Sequence, residues 1–222
     1  MRKSFDTILF DLDGTLVDTS AGILDSIRFT IDRLHLPVLD EDAMRSFIGP
    51  PLSFSFEKYF GMEQKAIEIA ISTFREYYGE KGIYNAEIYN GIEDLLCSLK
   101  QKSYNLGVAT YKREDFAVEV LKHMHISDYF DVVHGADSDG KIKKSEIIEL
   151  CAKDLKVEKK RCLYVGDTQA DADAALKAGV HFCAVDWGFG YPKSVVPEDI
   201  CCISQPIELL SIEEFKSISK QS

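Results

Sequence analysis

Aspartates at positions 11 and 13, followed by Gly14 and Thr15, close an apolar run that begins at Phe5 and is broken only by Asp6 and Thr7. A short apolar run ended by a turn signal reads as a buried strand. Carboxylates spaced i and i+2 along a strand point the same way. Two carboxylates that close repel, so a cation, a shared proton or full solvation must hold the charge. A solvated Asp-Gly turn is the plain alternative, since both residues are ordinary in turns.

Other parts of the chain weigh against that alternative. The run 105–109, NLGVA, ends in Thr110, Tyr111 and Lys112, and the run 162–166, CLYVG, ends in Asp167 with Asp171 four residues on. Between them, Lys143 and Lys144 open a helix after the Gly140 turn. Open α/β sheets bind ligands at the carboxyl ends of their strands. Acids, a hydroxyl and a lysine would therefore converge on one crevice from separate segments.

Phosphoryl transfer suits such a crevice. A cluster of hard carboxylate oxygens selects Mg²⁺, which takes one or two protein carboxylates plus water and substrate phosphate. The metal would let an aspartate approach a dianionic phosphate by neutralising both. Asp11 is then a covalent nucleophile, and hydrolysis splits into two displacements through an aspartyl-phosphate. Asp13 would protonate the leaving oxygen and later act as base toward water. Thr110 supplies a hydroxyl, Lys144 a cation and neighbouring backbone N–H groups the rest of a phosphate cradle, with Tyr111 in the same wall.

The elements that must hold these residues are legible from periodicity. Strands near 105–109, 130–134, 162–165, 181–185 and 200–204 alternate with helices near 92–101, 113–124, 144–155 and 170–178, and a last helix is expected near 207–217. Such alternation means βαβ units and a parallel sheet. Residues 17–84 differ. Ile23, Ile27, Ile31 and Leu34 form one helical stripe, Asp40 can cap a short helix over 41–47, and Ile67, Ile71, Phe74 and Tyr78 mark another helix. The expectation is a doubly wound α/β core, residues 1–16 plus 85–222, interrupted after its first strand by a helical insert, 17–84.

Composition sets bounds on partners. With 222 residues and 45% hydrophobic content, the chain is one large domain or a core with a smaller insert. A net charge of −11 argues against nucleic acid or an anionic membrane as partner. No apolar window spans a bilayer, and the six cysteines, without CxxC spacing, read as buried thiols of a reducing compartment. A cytoplasmic protein, monomer or homodimer, acting on a small phosphorylated metabolite is the expectation.

At these residues the chain resembles the haloacid dehalogenase-like phosphatases, in their phosphoglycolate phosphatase-like branch. Asp11-Leu12-Asp13-Gly14-Thr15 matches the first motif, Thr110 the second and Lys144 the third. Gly166-Asp167 with Asp171 and the later Ala178-Gly179 match the fourth. The segments FIGPPL, 47–52, and WGFGY, 187–191, are similar to segments of that branch. Two positions depart from the pattern: Ser145 follows Lys144 where proline is common, and Tyr111 stands where Asn or Ser is common. The resemblance implies a Mg²⁺-dependent phosphatase acting on phosphoglycolate or a nucleoside 5′-monophosphate type of ester. It implies metal ligands at Asp11, the Asp13 backbone carbonyl and Asp167, support from Asp171, Gly14 and Thr15, and a helical cap over residues 17–84.

Rival readings are a sugar-phosphate mutase of the same family, a dehalogenase and a non-catalytic phosphate-binding regulator. A dehalogenase has no need of an acid at Asp13. Arg45 in the insert is a candidate substrate contact, with an exposed helix arginine as the commoner explanation. Asp137, Asp139, Gly140 and Glu146 fall at calcium-loop positions, but Gly135 stands where the first ligand belongs. His123, His125 and His134 lack metal-ligand spacing.

Overall fold

The computed structural model describes residues 5–138, 141–191, 196–197 and 200–212. The chain divides into two compact units, one of residues 1–17 and 88–222, the other of Asp18–Glu87.

The larger unit is an α/β core. Six parallel strands lie in the order β5-β4-β1-β6-β7-β8, formed by Val132–Ala136 (β5), Asn105–Arg113 (β4), Thr7–Phe10 (β1), Cys162–Gly166 (β6), His181–Val185 (β7) and Cys201–Ile203 (β8). β1 is buried along its whole length between β4 and β6, with Phe10 opposite Val108 on one side and Val165 on the other. Chain order runs outward from β1 through β4 to β5 and then crosses to β6 on the opposite side. The carboxyl ends of β4, β1 and β6 thus flank the point where strand order reverses, where a doubly wound sheet opens a crevice.

Helices cover the sheet with stripes at helical spacing. In α5 (Ile92–Gln101) Ile92, Leu95, Leu96 and Leu99 are buried. From α7 (Lys144–Asp154) Ile147, Ile148, Cys151 and Ala152, and from α8 (Gln169–Ala178) Ala174, Ala175 and Ala178, pack with Leu9, Ala109, Cys162 and Tyr164 in one cluster. The small alanines of α8 let that helix lie close to the sheet. α6 is Glu114–His123.

The smaller unit holds α1 (Ser20–Arg33), α2 (Glu41–Arg45), α3 (Leu52–Phe60) and α4 (Gln64–Glu80). Ile23, Ile27 and Ile31 of α1 and Ile67, Ala70, Phe74 and Tyr78 of α4 form its buried faces. The Asp40 side chain caps α2 by accepting from the Ala43 amide at 2.8 Å. Where the chain passes between units, Val17–Asp18 (β2) and Glu87–Ile88 (β3) pair as a two-stranded sheet. Residues 17 and 18, expected to be helical, are therefore strand.

Two further differences follow. β4 continues to Arg113 rather than stopping at Ala109, with a register irregularity against β5 after Ala109. The terminal segment is a 3₁₀ turn, Pro206–Ser211, opened by a proline at its first position, and residues 213–217 of the expected helix lie outside the described residues. His134 sits in β5, within the expected strand, its Nε2 2.9 Å from Asp154 and its Nδ1 3.4 Å from Glu114. Asp137 accepts the Lys141 amide at 2.8 Å and Glu146 the Lys143 amide at 2.9 Å, both local turn and cap bonds. Asp139 and Gly140, the other expected calcium-loop positions, lie outside the described residues.

Candidate active site

β1 ends at Phe10, so Asp11 to Gly14 form the turn that leaves it. The Asp11 amide donates to Val165 of β6 at 2.9 Å, and the amides of Thr15, Leu16 and Val17 all donate back to the Leu12 carbonyl. That turn requires Gly14, which holds φ +81 and whose missing Cβ would collide with the Asp167 carboxylate and the Phe189 ring. Asp11 and Asp13 are thereby aimed at separate partners.

Asp11 is buried, and its Oδ2 lies 2.9 Å from Lys144 Nζ. Lys144 opens α7, is buried in contrast to exposed Lys143, and also pairs with Asp171 Oδ1. Asp171 is fully buried with both oxygens engaged. Tyr164 Oη lies 2.8 Å from the Ala109 carbonyl and 3.2 Å from Oδ1, sharing its one proton between the two acceptors. Thr168 donates to Oδ2 through its amide at 3.0 Å and its hydroxyl at 2.6 Å, as the cap of α8. Asp171 is thus committed to orienting Lys144 and the helix start.

Asp167, at the end of β6, is held by two donors. The Phe189 amide donates to Oδ2 at 2.7 Å and the Thr15 hydroxyl to Oδ1 at 3.4 Å. The loop 187–190 is strapped over this corner: Trp187 Nε1 donates to the Thr15 carbonyl at 3.1 Å, and a Cβ on Gly188 would run into Asp167 and the Gly14 carbonyl. On β4, Thr110 is buried and its hydroxyl oxygen accepts the Lys112 amide at 3.2 Å. Tyr111 packs in the core cluster, with Lys144 Nζ 6.0 Å from its ring centroid. Lys112 reaches Asp13, its Nζ 2.9 and 3.0 Å from the two carboxylate oxygens. Arg45 belongs to the helical unit, where its guanidinium lies 3.8 Å from Glu41 one turn earlier.

Electrostatically the cluster is short of positive charge: four aspartates face two lysines. Burial, followed by the charges of Asp11 and Asp171, pushes the Asp167 carboxyl up to about 7, against the pull of the Phe189 amide. Burial likewise pushes Asp11 up to about 6, with Asp171 and Asp13 adding to the rise and Lys144 opposing it. Burial disfavours the Lys144 charge, but Asp11 and Asp171 outweigh it and raise its pKa above the ordinary lysine value. Burial, then the nearby carboxylates, keeps the Tyr164 phenol protonated as a donor.

The residues fit a divalent cation. One carboxylate oxygen from each of Asp11, Asp167 and Asp171 lies within 4.8 Å of the others. Asp11 Oδ1 is buried and meets no hydrogen-bond donor among the described residues, a costly state that a cation would relieve. The donors are all hard oxygens with no histidine or thiolate, which favours Mg²⁺ over zinc.

Sequence reasoning named Lys112 only as a strand end and missed Tyr164, Thr168 and the Phe189 amide. A tyrosine inside an otherwise apolar central strand was the available signal for Tyr164, because a buried phenol needs a partner.

The doubly wound sheet thus brings together a buried carboxylate after its first strand, a lysine at a helix start and a carboxylate pair after β6. Residues 8–185 match the haloacid dehalogenase-like hydrolase family, and the chain belongs to that family. A 5′-nucleotidase of Pseudomonas aeruginosa is 34% identical over 84% of this chain and 85% of its own. A phosphoglycolate phosphatase of Aquifex aeolicus is 32% identical over 92% and 95%. The solved structure of a haloacid dehalogenase-like family hydrolase from Streptococcus pneumoniae superposes with TM-score 0.86 at 32% identity, covering 95% of this chain and 99% of that one. The chain is a phosphatase of this family. No helix among the described residues is long and apolar enough to cross a membrane.

Proposed function

We propose that this chain hydrolyses a small phosphate monoester in two displacements, with Asp11 as the nucleophile. The observation that carries this reading is the state of Asp11: one oxygen oriented by Lys144 and the other buried without a donor, at the mouth of the reversing sheet. In the first step an Asp11 oxygen bonds to phosphorus as the bond to the leaving oxygen breaks, and Asp13 gives its proton to that oxygen. In the second, Asp13 takes a proton from water, the water oxygen bonds to phosphorus, and the Asp11–phosphorus bond breaks. Thr110 and Lys144, with the Tyr111 wall and adjacent amides, would hold the phosphoryl oxygens while charge builds on them.

Asp11, the Asp13 backbone carbonyl and Asp167 would hold Mg²⁺, with Asp171, Gly14 and Thr15 supporting. When bound, Mg²⁺ supplies the positive charge that lets a carboxylate and a phosphate dianion meet. The helical unit is the part assigned to select the leaving group, with Arg45 as its candidate anion contact. Relatives named as a 5′-nucleotidase and a phosphoglycolate phosphatase support nucleoside 5′-monophosphates and small phospho-acids as the esters to try first.

The test is phosphate release from a panel of such esters, with and without Mg²⁺, for the wild type and for Asp11→Asn. Release that needs Mg²⁺ and disappears in the variant is expected. Full activity in Asp11→Asn, or metal-independent release, would overturn the reading.

A further inference from the structure

Lys112 faces Asp13, and the role inferred for it rests on Asp13 being the acid and base just assigned. Lys112 is an unusual place for a lysine: its side chain is 6% exposed, although nothing in the first-motif chemistry calls for a second cation. Burying an ammonium is costly unless it is paired. Here the pairing is two-fold, with Nζ 2.9 and 3.0 Å from the two oxygens of Asp13. A cation set almost symmetrically on both oxygens fixes the plane of the carboxylate as well as its position.

The backbone fixes the cation in turn. Strand alternation brings Lys112 to the Thr110 side of β4, while Tyr111 packs into the core cluster. The Lys112 amide is bonded to the Thr110 hydroxyl at 3.2 Å. Asp13 is the acid that most needs such a hold. It leaves β1 in a turn, its side chain is 16% exposed, and it stands apart from the three carboxylates that converge as a cation site.

We infer that Lys112 is a positioning residue for the leaving-group chemistry: it holds the Asp13 side chain where it meets the leaving oxygen and, later, the attacking water. The site then divides its two lysines, Lys144 serving the nucleophile and Lys112 the acid and base. A direct phosphate contact by Lys112 is the competing role, and the two make different kinetic predictions.

The experiment compares the wild type, Lys112→Met, Asp13→Asn and the double variant on two substrates with Mg²⁺. One is p-nitrophenyl phosphate, whose leaving group departs without a proton. The other is the best alkyl ester of the panel, whose leaving group needs one. For Lys112→Met we expect alkyl-ester kcat to fall on the order of a hundredfold with KM changed less than about threefold. With p-nitrophenyl phosphate, a rapid burst approaching one p-nitrophenolate per chain should survive, followed by a slow phase in which phosphoenzyme waits for activated water. In the Asp13→Asn background the Lys112 substitution should cost nothing further, because both changes remove one function.

Equal losses on both esters without a burst, a change confined to KM, or additive losses in the double variant would each overturn the inference in favour of a phosphate contact or a packing role. Should Lys112→Met fail to fold, Lys112→Gln is read the same way, since the ratio of alkyl to aryl phosphorylation rates in the first turnover must still fall. A wild type that releases phosphate from neither ester would instead refute the Asp11 and Asp13 reading on which the inference stands.

Discussion

Replacing Asp167 with asparagine should make the metal-free protein more stable at neutral pH while removing its response to Mg²⁺. Burial and the charges of Asp11 and Asp171 raise the Asp167 carboxyl from 3.8 to about 7. A carboxyl raised in the folded state binds its proton more tightly there than in the unfolded chain. Its contribution is therefore favourable below about pH 4 and is lost progressively as pH rises toward about 7. A rise of about three units at about 1.4 kcal/mol each sets an upper bound of about 4 kcal/mol lost by about pH 8, of which about 2 kcal/mol disappears between about pH 5.5 and about pH 8. Asparagine has nearly the same shape, can still accept the Phe189 amide, and carries no charge to bury. At roughly 2–4 °C per kcal/mol for a chain of this size, Asp167→Asn should melt up to about 8–16 °C higher than the wild type near pH 8 without metal. The gap should shrink toward about pH 5.5, and Mg²⁺ should stabilise the wild type alone. Thermal melts at both pH values, with and without Mg²⁺, read all of this. A variant less stable than the wild type near pH 8, or equally stabilised by Mg²⁺, would refute the argument that uncompensated charge in this cluster is what the metal neutralises.

Lys144→Met should be the opposite case: it leaves Asp11 and Asp171 buried without their cation, costing roughly 3–5 kcal/mol near neutral pH in urea unfolding and reducing turnover at least on the order of a hundredfold. Gly14→Ala, at φ +81 against Asp167, should lower stability by about 1–3 kcal/mol and impair Mg²⁺ binding by calorimetry. Gly61→Ala, also at positive φ but with open space around the position, should cost about 1 kcal/mol and leave turnover intact. Tyr164→Phe removes the donor to Asp171 and Ala109 and should destabilise by about 1–3 kcal/mol in denaturant titrations.

Much of the core was legible because its signals are local. The helix at 92–101 was readable from four apolar residues at helical spacing, and the strand at 181–185 from a short apolar run after Gly179. Asp11, Thr110, Lys144 and Asp167 could be singled out as candidates because each stands at the end of an apolar run or at a helix start. The remainder depended on information that spacing does not carry. Two-residue strands such as Val17–Asp18 are too short for any periodicity. β4 runs on to Arg113 because it meets β5 again there, at Ala136, beyond a register irregularity that spans Thr110, Tyr111 and Lys112. The different partners of Asp11 and Asp13 follow from the chain leaving β1 at Phe10, so the strand rule for i and i+2 does not extend to Asp13. Lys112 was readable only as a strand-end residue; the fold sets it against Asp13, 99 positions away.

The most direct measurement is acid quench of the wild type during turnover of a labelled phosphate ester with Mg²⁺, followed by peptide mapping. The account predicts an acid-stable, base-labile phosphoryl group on Asp11, up to one per chain, and none in Asp11→Asn. Rapid turnover with no label on the protein at any time, or label on another residue, would contradict it.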